Sequence, residues 1–296
     1  MPSIHERIFR VRHYECDAYG HVNHANYLRY MQEAAMDASA AVGYDNARYR
    51  AIGRSWWIRE TDISYQRPLT HGDSLIVKTW VADFHRVRSL RHYEIRHAAT
   101  GEIAAEAQTD WVYLDSATQR PEIIPPEMIT AFVPEGLPDD KRPPRPFVQP
   151  PPPAGKFTLR RRVEWRDIDP AQHVNNATYL AFFEDSAMQD SISRGWPVAR
   201  MSEAGFALVI RRYRIEYKLP AVLGDDLDVS TWISDVKRST ALRHFTAARV
   251  SDGALVARAF SQWVWVDLAT GRPIRIPPDF IGDFASNIVG WAGAQG

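Results

Sequence analysis

The chain is written twice. From about Arg10 to Phe132 its sequence recurs 152 positions later without a gap: His21-Val22-Asn23 returns as His173-Val174-Asn175, Gly72-Asp73 as Gly224-Asp225, Arg91-His92 as Arg243-His244, and Pro125-Pro126 as Pro277-Pro278. Whatever fold serves one half must serve the other, and every residue suspected of chemistry has a counterpart against which to check it. A length of 296 residues leaves each copy enough chain to bury a core of its own. Between the copies runs Val133 to Phe157, where Pro143, Pro144, Pro146 and Pro150 to Pro153 favour an extended polyproline-type chain. The expected organisation is a first domain over residues 1–132, a linker over 133–157 and a second domain over 158–296.

Within each copy the hydrophobic period changes from strand to helix and back. Phe9 to Tyr14 alternates as a short strand would. From about Asn23 to Val42 there is no proline or glycine, and Tyr27, Met31, Ala34, Ala38 and Ala41 recur at helical spacing, with Gly43 as the stop. Four further strands are expected near Trp56 to Arg67, Asp73 to Ala82, Arg88 to Arg96 and Ile103 to Leu114. Leu75, Val77, Thr79 and Val81 mark the inner face of one of them, repeated by Leu227, Val229, Thr231 and Ile233. The fold class is α+β: one mostly buried helix, lined by Ala34, Ala35, Ala38, Ala40 and Ala41, against an antiparallel sheet.

With 36 basic and 36 acidic side chains the chain has no overall pull toward nucleic acid or an anionic membrane, so neither is an expected partner. An anionic ligand would need a local basic patch. Cys16 is the lone cysteine and cannot form an internal disulfide. Glu6, Arg7, Arg10 and Arg12 interrupt the start where a signal peptide needs an apolar run, and no segment approaches the ~18 apolar residues of a membrane span. A cytoplasmic protein is expected.

The loop ahead of the helix gathers Asp17, His21 and Asn23 in one copy and Asp169, His173 and Asn175 in the other. A helix start offers unpaired N–H groups and partial positive charge, so an acid beside it could serve acyl transfer while the amides hold a developing oxyanion. Helix capping by Asn23, with Asp17 and His21 pinning the loop, is the alternative and stays open. Glu33 and Asp185 place an acid at the same helical turn in both copies, where facing water is an equally good reading. The counterpart of Cys16 is Ile168, which leaves the thiol as packing, and His24 becomes Asn176, which argues against a metal pair. No metal is expected. Neither a phosphate-binding glycine loop nor a Gly-x-Ser-x-Gly elbow is present.

Asp17-Ala18-Tyr19-Gly20-His21-Val22-Asn23 and Asp169-Pro170-Ala171-Gln172-His173-Val174-Asn175 resemble the motif of hotdog-fold acyl thioesterases of the 4-hydroxybenzoyl-CoA thioesterase type. The chain is similar also to acyl-ACP thioesterases, which carry two such domains. The resemblance implies two tandem hotdog domains, each a curved antiparallel sheet wrapped around one long central helix, paired as a dimer fused into one chain. Further pairing into a homodimer stays open. It implies hydrolysis of an acyl-CoA or acyl-ACP thioester to acid and thiol, with no cofactor beyond the CoA or ACP of the substrate and with acyl carrier protein as a candidate partner. Asp17 and Asp169 would be nucleophile or general base, with His21, Asn23, His173 and Asn175 orienting acid or water, and Glu33 and Asp185 as supporting acids. Two departures, His24 for the usual second Asn and Gln172 for the usual Gly, leave open which copy works. Phosphates of CoA would suit Arg86, Arg88 and Arg91, or Lys237, Arg238 and Arg243, at strand ends, although a solvated strand face explains these equally. A hotdog hydratase or dehydratase and a non-catalytic acyl-CoA binder are the competing functions.

Overall fold

Apolar periodicity of two and of 3.6 must be buried against one another, and the computed structural model, which describes residues 2–136 and 146–290, does this twice. The chain divides into two compact units, Met1–Pro146 and Phe147–Gly296. No helix among the described residues is long and apolar enough to cross a membrane.

In the first unit β1 (His5–Arg10), β2 (Arg54–Tyr65), β3 (Ser74–His85), β4 (Arg88–His97) and β5 (Ile103–Asp115) form an antiparallel sheet in the order β1-β3-β4-β5-β2. Helix α1 (His24–Ala41) lies against it, α2 (Asn46–Ala51) follows, and α3 (Pro126–Phe132) closes the unit. Leu75, Val77, Thr79 and Val81 of β3 are buried as their alternation requires, as are Ala25, Leu28, Met31, Ala34, Ala35 and Ala38 of α1. Ala40 and Ala41 are exposed, so close approach of helix and sheet rests on Ala34, Ala35 and Ala38 alone. The helix ends as expected. Gly43, at φ +84°, lets its N–H reach the Ala40 carbonyl while the Tyr44 N–H reaches that of Ser39, the paired bonds that close a helix through a left-handed residue.

The second unit repeats the plan with β6 (Phe157–Arg162), α4 (Thr178–Ser193), α5 (Val198–Glu203), β7 (Phe206–Tyr217), β8 (Asp226–Ser234), β9 (Thr240–Arg249), β10 (Leu255–Asp267) and α6 (Pro278–Phe284). Its order is β7-β10-β9-β8-β6. Gly195 closes α4 with the same pair of bonds, to Ile192 and from Trp196 to Ser191.

The first strand is displaced from its expected position. It spans His5–Arg10, and His13 and Tyr14, expected as its end, belong to a 3-10 turn, His13–Glu15. The cause is a buried acid: Glu15 accepts from the Arg12 backbone N–H (2.7 Å) and the Tyr30 hydroxyl (2.6 Å), which folds the chain back on itself. Asp167 does the same in the second unit, accepting from the Glu164 N–H at 2.8 Å. Helices α2, α3, α5 and α6 escaped the period analysis because each is only six or seven residues long.

Of the proline-rich stretch, Pro143 and Pro144 lie outside the described residues. The part beyond Pro146 packs onto the second unit. Gln149 Nε2 donates to the Phe245 and Ala259 carbonyls, and the Phe147 ring lies 5.6 Å from that of Phe260. Gly155 comes so close to Ser286 that a Cβ there would sit 2.3 Å from its carbonyl oxygen, a gap only glycine tolerates.

Beneath α4 lies a buried ion pair. Asp190 (0% exposed) accepts from Arg243 (1% exposed) and, at 2.7 Å, from Arg194 Nε, while Arg243 Nε donates to Thr231 Oγ1 at 2.9 Å. Next to Arg243 on β9, burial pushes the His244 imidazole down to about 4, so it is neutral in the fold and accepts from or donates to Ser234 Oγ at 2.7 Å. Removing only the acid strands a buried guanidinium. Asp190→Ala should cost about 3–5 kcal/mol in urea unfolding, whereas the double change Asp190→Ala with Arg243→Met should recover most of that loss.

Candidate active site

The loop between the 3-10 turn and α1 is shaped by the backbone before any side chain acts. Asp17 N–H donates to the His21 carbonyl at 2.8 Å and Gly20 N–H to the Asp17 carbonyl at 3.0 Å, so the five residues form a closed turn. In the second unit Asp169 N–H reaches the His173 carbonyl at 3.1 Å and Gln172 N–H the Asp169 carbonyl at 2.8 Å. Each turn is held from two sides. Val22 and Val174 donate to the carbonyls of Leu69 and Ala221, just after Pro68 and Pro220, and Asn23 and Asn175 donate to the carbonyls of Glu15 and Asp167. The buried acids missed by pattern analysis therefore anchor the loop. Their alignment, Glu15 over Asp167, was the signal that could have found them.

The asparagine caps the helix in the first unit and touches the acid in the second. Asn23 Oδ1 accepts from Ala25 N–H at 2.9 Å, and Asn175 Oδ1 from Ala177 N–H at 3.0 Å. In the second unit the other end of the same amide, Nδ2, donates to Asp169 Oδ2 at 3.1 Å, while Asp169 Oδ1 accepts from Ala171 N–H at 2.9 Å. Both carboxylate oxygens are thereby oriented. Asp17 Oδ1 accepts from Tyr19 N–H (2.8 Å) and His21 N–H (3.3 Å). Asp17, His21, Asn23 and their counterparts are all half-buried. His173 Nδ1 lies 3.4 Å from the Val174 carbonyl. The carbonyls of His24 and Asn176 each accept from a tyrosine hydroxyl, Tyr65 at 3.2 Å and Tyr217 at 2.9 Å, so the histidine-for-asparagine departure preserves this backbone contact. A carboxylate fixed beside the first turn of a helix can abstract a proton from water or attack a carbonyl that the turn polarises.

Glu33 and Asp185 are placed elsewhere. About 14 Å along α1 from its start, at 1.5 Å per residue, Glu33 faces solvent and pairs with Arg7 of β1 (3.3 Å), which also holds Asp37 (2.6 Å). Asp185 pairs likewise with Arg161 of β6 at 2.7 Å. These acids tie the helix to the first strand of each unit, and the structure does not bring them to the loop.

The six basic residues separate by depth. Arg86, Lys237 and Arg238 are exposed at strand ends, Lys237 pairing with Asp235 at 3.1 Å. Arg88 is held by Asp110, through Nε to Oδ1 at 3.0 Å and through Nη2 to Oδ2. Arg91 and Arg243, expected at the mouth of a pocket, are 6% and 1% exposed, because their β4 and β9 positions point under the helix. A guanidinium at that depth cannot meet a solvated phosphate.

A family model described as the thioesterase-like superfamily matches residues 11–132 and 163–284. An acyl-carrier-protein hydrolase from the chloroplast of Cuphea viscosissima is 27% identical over 196 residues, covering 60% of this chain and 46% of that protein. A long-chain acyl-CoA thioesterase of Escherichia coli is 29% identical over 118 residues, covering 39% of this chain and 86% of that one. The chain spans about half the length of the Cuphea protein. Among solved structures, a 12:0-ACP thioesterase from Umbellularia californica has the same fold, with a TM-score of 0.70 at 21% identity over 88% of this chain and 97% of that one. Each unit is a hotdog domain, two in tandem.

The two turns differ at one backbone position. Gly20 sits at φ +79° and its counterpart Gln172 at φ +65°, a region in which a side chain is strained. A Cβ at Gly20 would meet nothing within 4 Å, so the effect of substitution there is one of backbone alone. Gly20→Ala should lower stability by about 1 kcal/mol, and Gln172→Gly should raise it by about 0.5 kcal/mol, strain relief slightly exceeding the added freedom of the unfolded chain. Shifts in urea midpoint at constant slope would show both.

Proposed function

The chain belongs to the thioesterase-like superfamily, and from that premise we propose that it hydrolyses an acyl thioester, acyl-CoA or acyl-ACP, to a free carboxylic acid and a thiol. The observation that carries this reading is the Asn175 side chain, which ties the Asp169 carboxylate to the Ala177 N–H just ahead of the helix. Asp169 takes a proton from water, whose oxygen attacks the carbonyl carbon, or attacks that carbon itself to form an anhydride that water then opens. The C–O bond forms, the carbon–sulfur bond breaks, and the thiolate leaves with a proton. The N-terminal turn of α4 stabilises the oxygen that becomes negative. Asp17 and Asn23 occupy the same places in the first unit, with His21 and His173 beside the acids to orient water. The relatives' names divide between carrier-protein and CoA esters, so either thiol is a candidate. Of the basic groups, Arg86, Lys237 and Arg238 are exposed and suited to phosphate. A hydratase would need an acid and a histidine placed as proton shuttles across a double bond; the oriented Asp–Asn pair at a helix start favours hydrolysis.

Purified protein should release thiol from members of a panel of short, long and aryl CoA esters and acyl-ACPs; no release from any of them would refute the proposal. Asp169→Asn keeps the shape and removes the base, and kcat should fall roughly 100-fold or more, within the range for a lost general base. Asp17→Asn measured alone and in combination reports whether the first unit turns over. Undiminished kcat in the double variant would remove both aspartates from the mechanism.

A further inference from the structure

The two units bury the same arginine and neutralise it differently. Arg243 in the second unit has Asp190 on the helix above it. The residue at the position of Asp190 in the first unit is Ala38, and the residue at that of Arg243 is Arg91, 6% exposed. Among the described residues Arg91 meets no carboxylate. Its guanidinium donates to Thr79 Oγ1, at a long 3.4 Å, and the Phe132 ring lies 5.6 Å from the guanidinium carbon. Burial pulls its pKa down, opposed only by Tyr93 and Tyr49. A buried charge without a partner is expensive, and a fold that keeps one while its duplicate has a counter-ion invites an ion from outside.

The surroundings support this. Where the second unit has Met201 and Leu208, the first has Tyr49 and Trp56, and the Tyr49 hydroxyl is held by Trp56 Nε1 and Ser39 Oγ, each at 3.0 Å. These polar groups lie in a core otherwise built of Tyr44, Val81, Ile124, Met128 and Phe132. The second unit fills the corresponding space with stacked rings, Phe183 on Phe245 at 5.1 Å and Tyr213 on Phe245 at 6.0 Å; the first has Met31 and Thr61 at the positions of Phe183 and Tyr213. Met31, Thr61 and Ala38 are smaller than their counterparts and Tyr49 and Trp56 larger, and a cation without a carboxylate stands in place of an ion pair. Ala38 stands about 20 Å along the helix from its start, so Arg91 is not part of the Asp17 cluster.

We propose that Arg91, with Tyr49, binds the carboxylate at the far end of an acyl chain that reaches the core of the first unit, so that the preferred acyl groups are those of dicarboxylic acids. This rests on the reading of the protein as one that takes acyl thioesters. The carboxylate supplies the charge that Asp190 supplies in the second unit, through a charge-assisted bond from the guanidinium.

The test uses the full chain and two probes of equal length, monomethyl dodecanedioate with one carboxylate and dimethyl dodecanedioate with none, titrated by calorimetry. The monoester should bind about 10- to 100-fold more tightly, the range for a hydrogen bond to a charged group. That preference should vanish in Arg91→Met, which removes the cation, and in Ala38→Asp, which supplies an internal counter-ion and should also raise the unfolding midpoint. Equal binding of the two probes by the unaltered protein, or a preference that survives in whichever of the two variants folds, overturns the proposal. Thiol release from dodecanoyl-CoA and from the mono-CoA ester of dodecanedioic acid is followed on the same preparations. A carboxylate preference without turnover of these or of any other ester of the panel removes the hydrolase reading and leaves the site, while turnover without the preference does the reverse.

Discussion

A buried carboxylate holds the candidate site together. Glu15 gathers the Arg12 backbone, the Tyr30 hydroxyl of the long helix and, through its own carbonyl, Asn23 N–H and Asn26 Nδ2. An acid that is 7% exposed is stable only when its oxygens are satisfied, so the turn, the loop and the head of the helix must be placed together or not at all. Asp167 imposes the same condition on the second unit through Glu164 and Asn175. The loop that carries Asp17 or Asp169 thereby becomes a rigid extension of the helix, and a polar pair such as Asn175 with Asp169 can keep its geometry at a half-buried position.

On this shared frame the units have diverged at a few positions, and the divergence lies under the helix more than at its head. The closed turn of the loop, the bond from the asparagine Oδ1 to the N–H two residues on, and the tyrosine bond to the carbonyl after the asparagine are common to both. Beneath the helix, an ion pair and stacked rings in one unit face a lone arginine and smaller side chains in the other. Duplication permits this, because one copy can keep an ion pair while the other holds an arginine whose charge a ligand completes.

Much of this was legible in the residues themselves. The 152-residue repeat, the strand alternation from Leu75 to Val81, the stop at Gly43 and the clustering of Asp, His and Asn ahead of a helix all follow from periodicity and capping chemistry, which act over a few residues. Elements shorter than two helical turns leave too few positions to show a period, so α2, α3, α5 and α6 were invisible. The first strand was misplaced because the alternation from Phe9 to Tyr14 says nothing of the carboxylate of Glu15, whose partner Tyr30 is a helix away.

Sequence alone therefore determined the two-domain α+β plan and the polar loop of each copy, since both are written in local pattern and in its repetition. Only the tertiary structure decided what each charged side chain meets. Glu33 and Asp185 left the site for arginines on the first strands, and Arg91 and Arg243 left the surface for the core. The reason is geometric: the partner of a charge lies across a sheet or on another element, 24 to 53 residues away for Arg161 with Asp185 and Asp190 with Arg243. No local pattern encodes that distance.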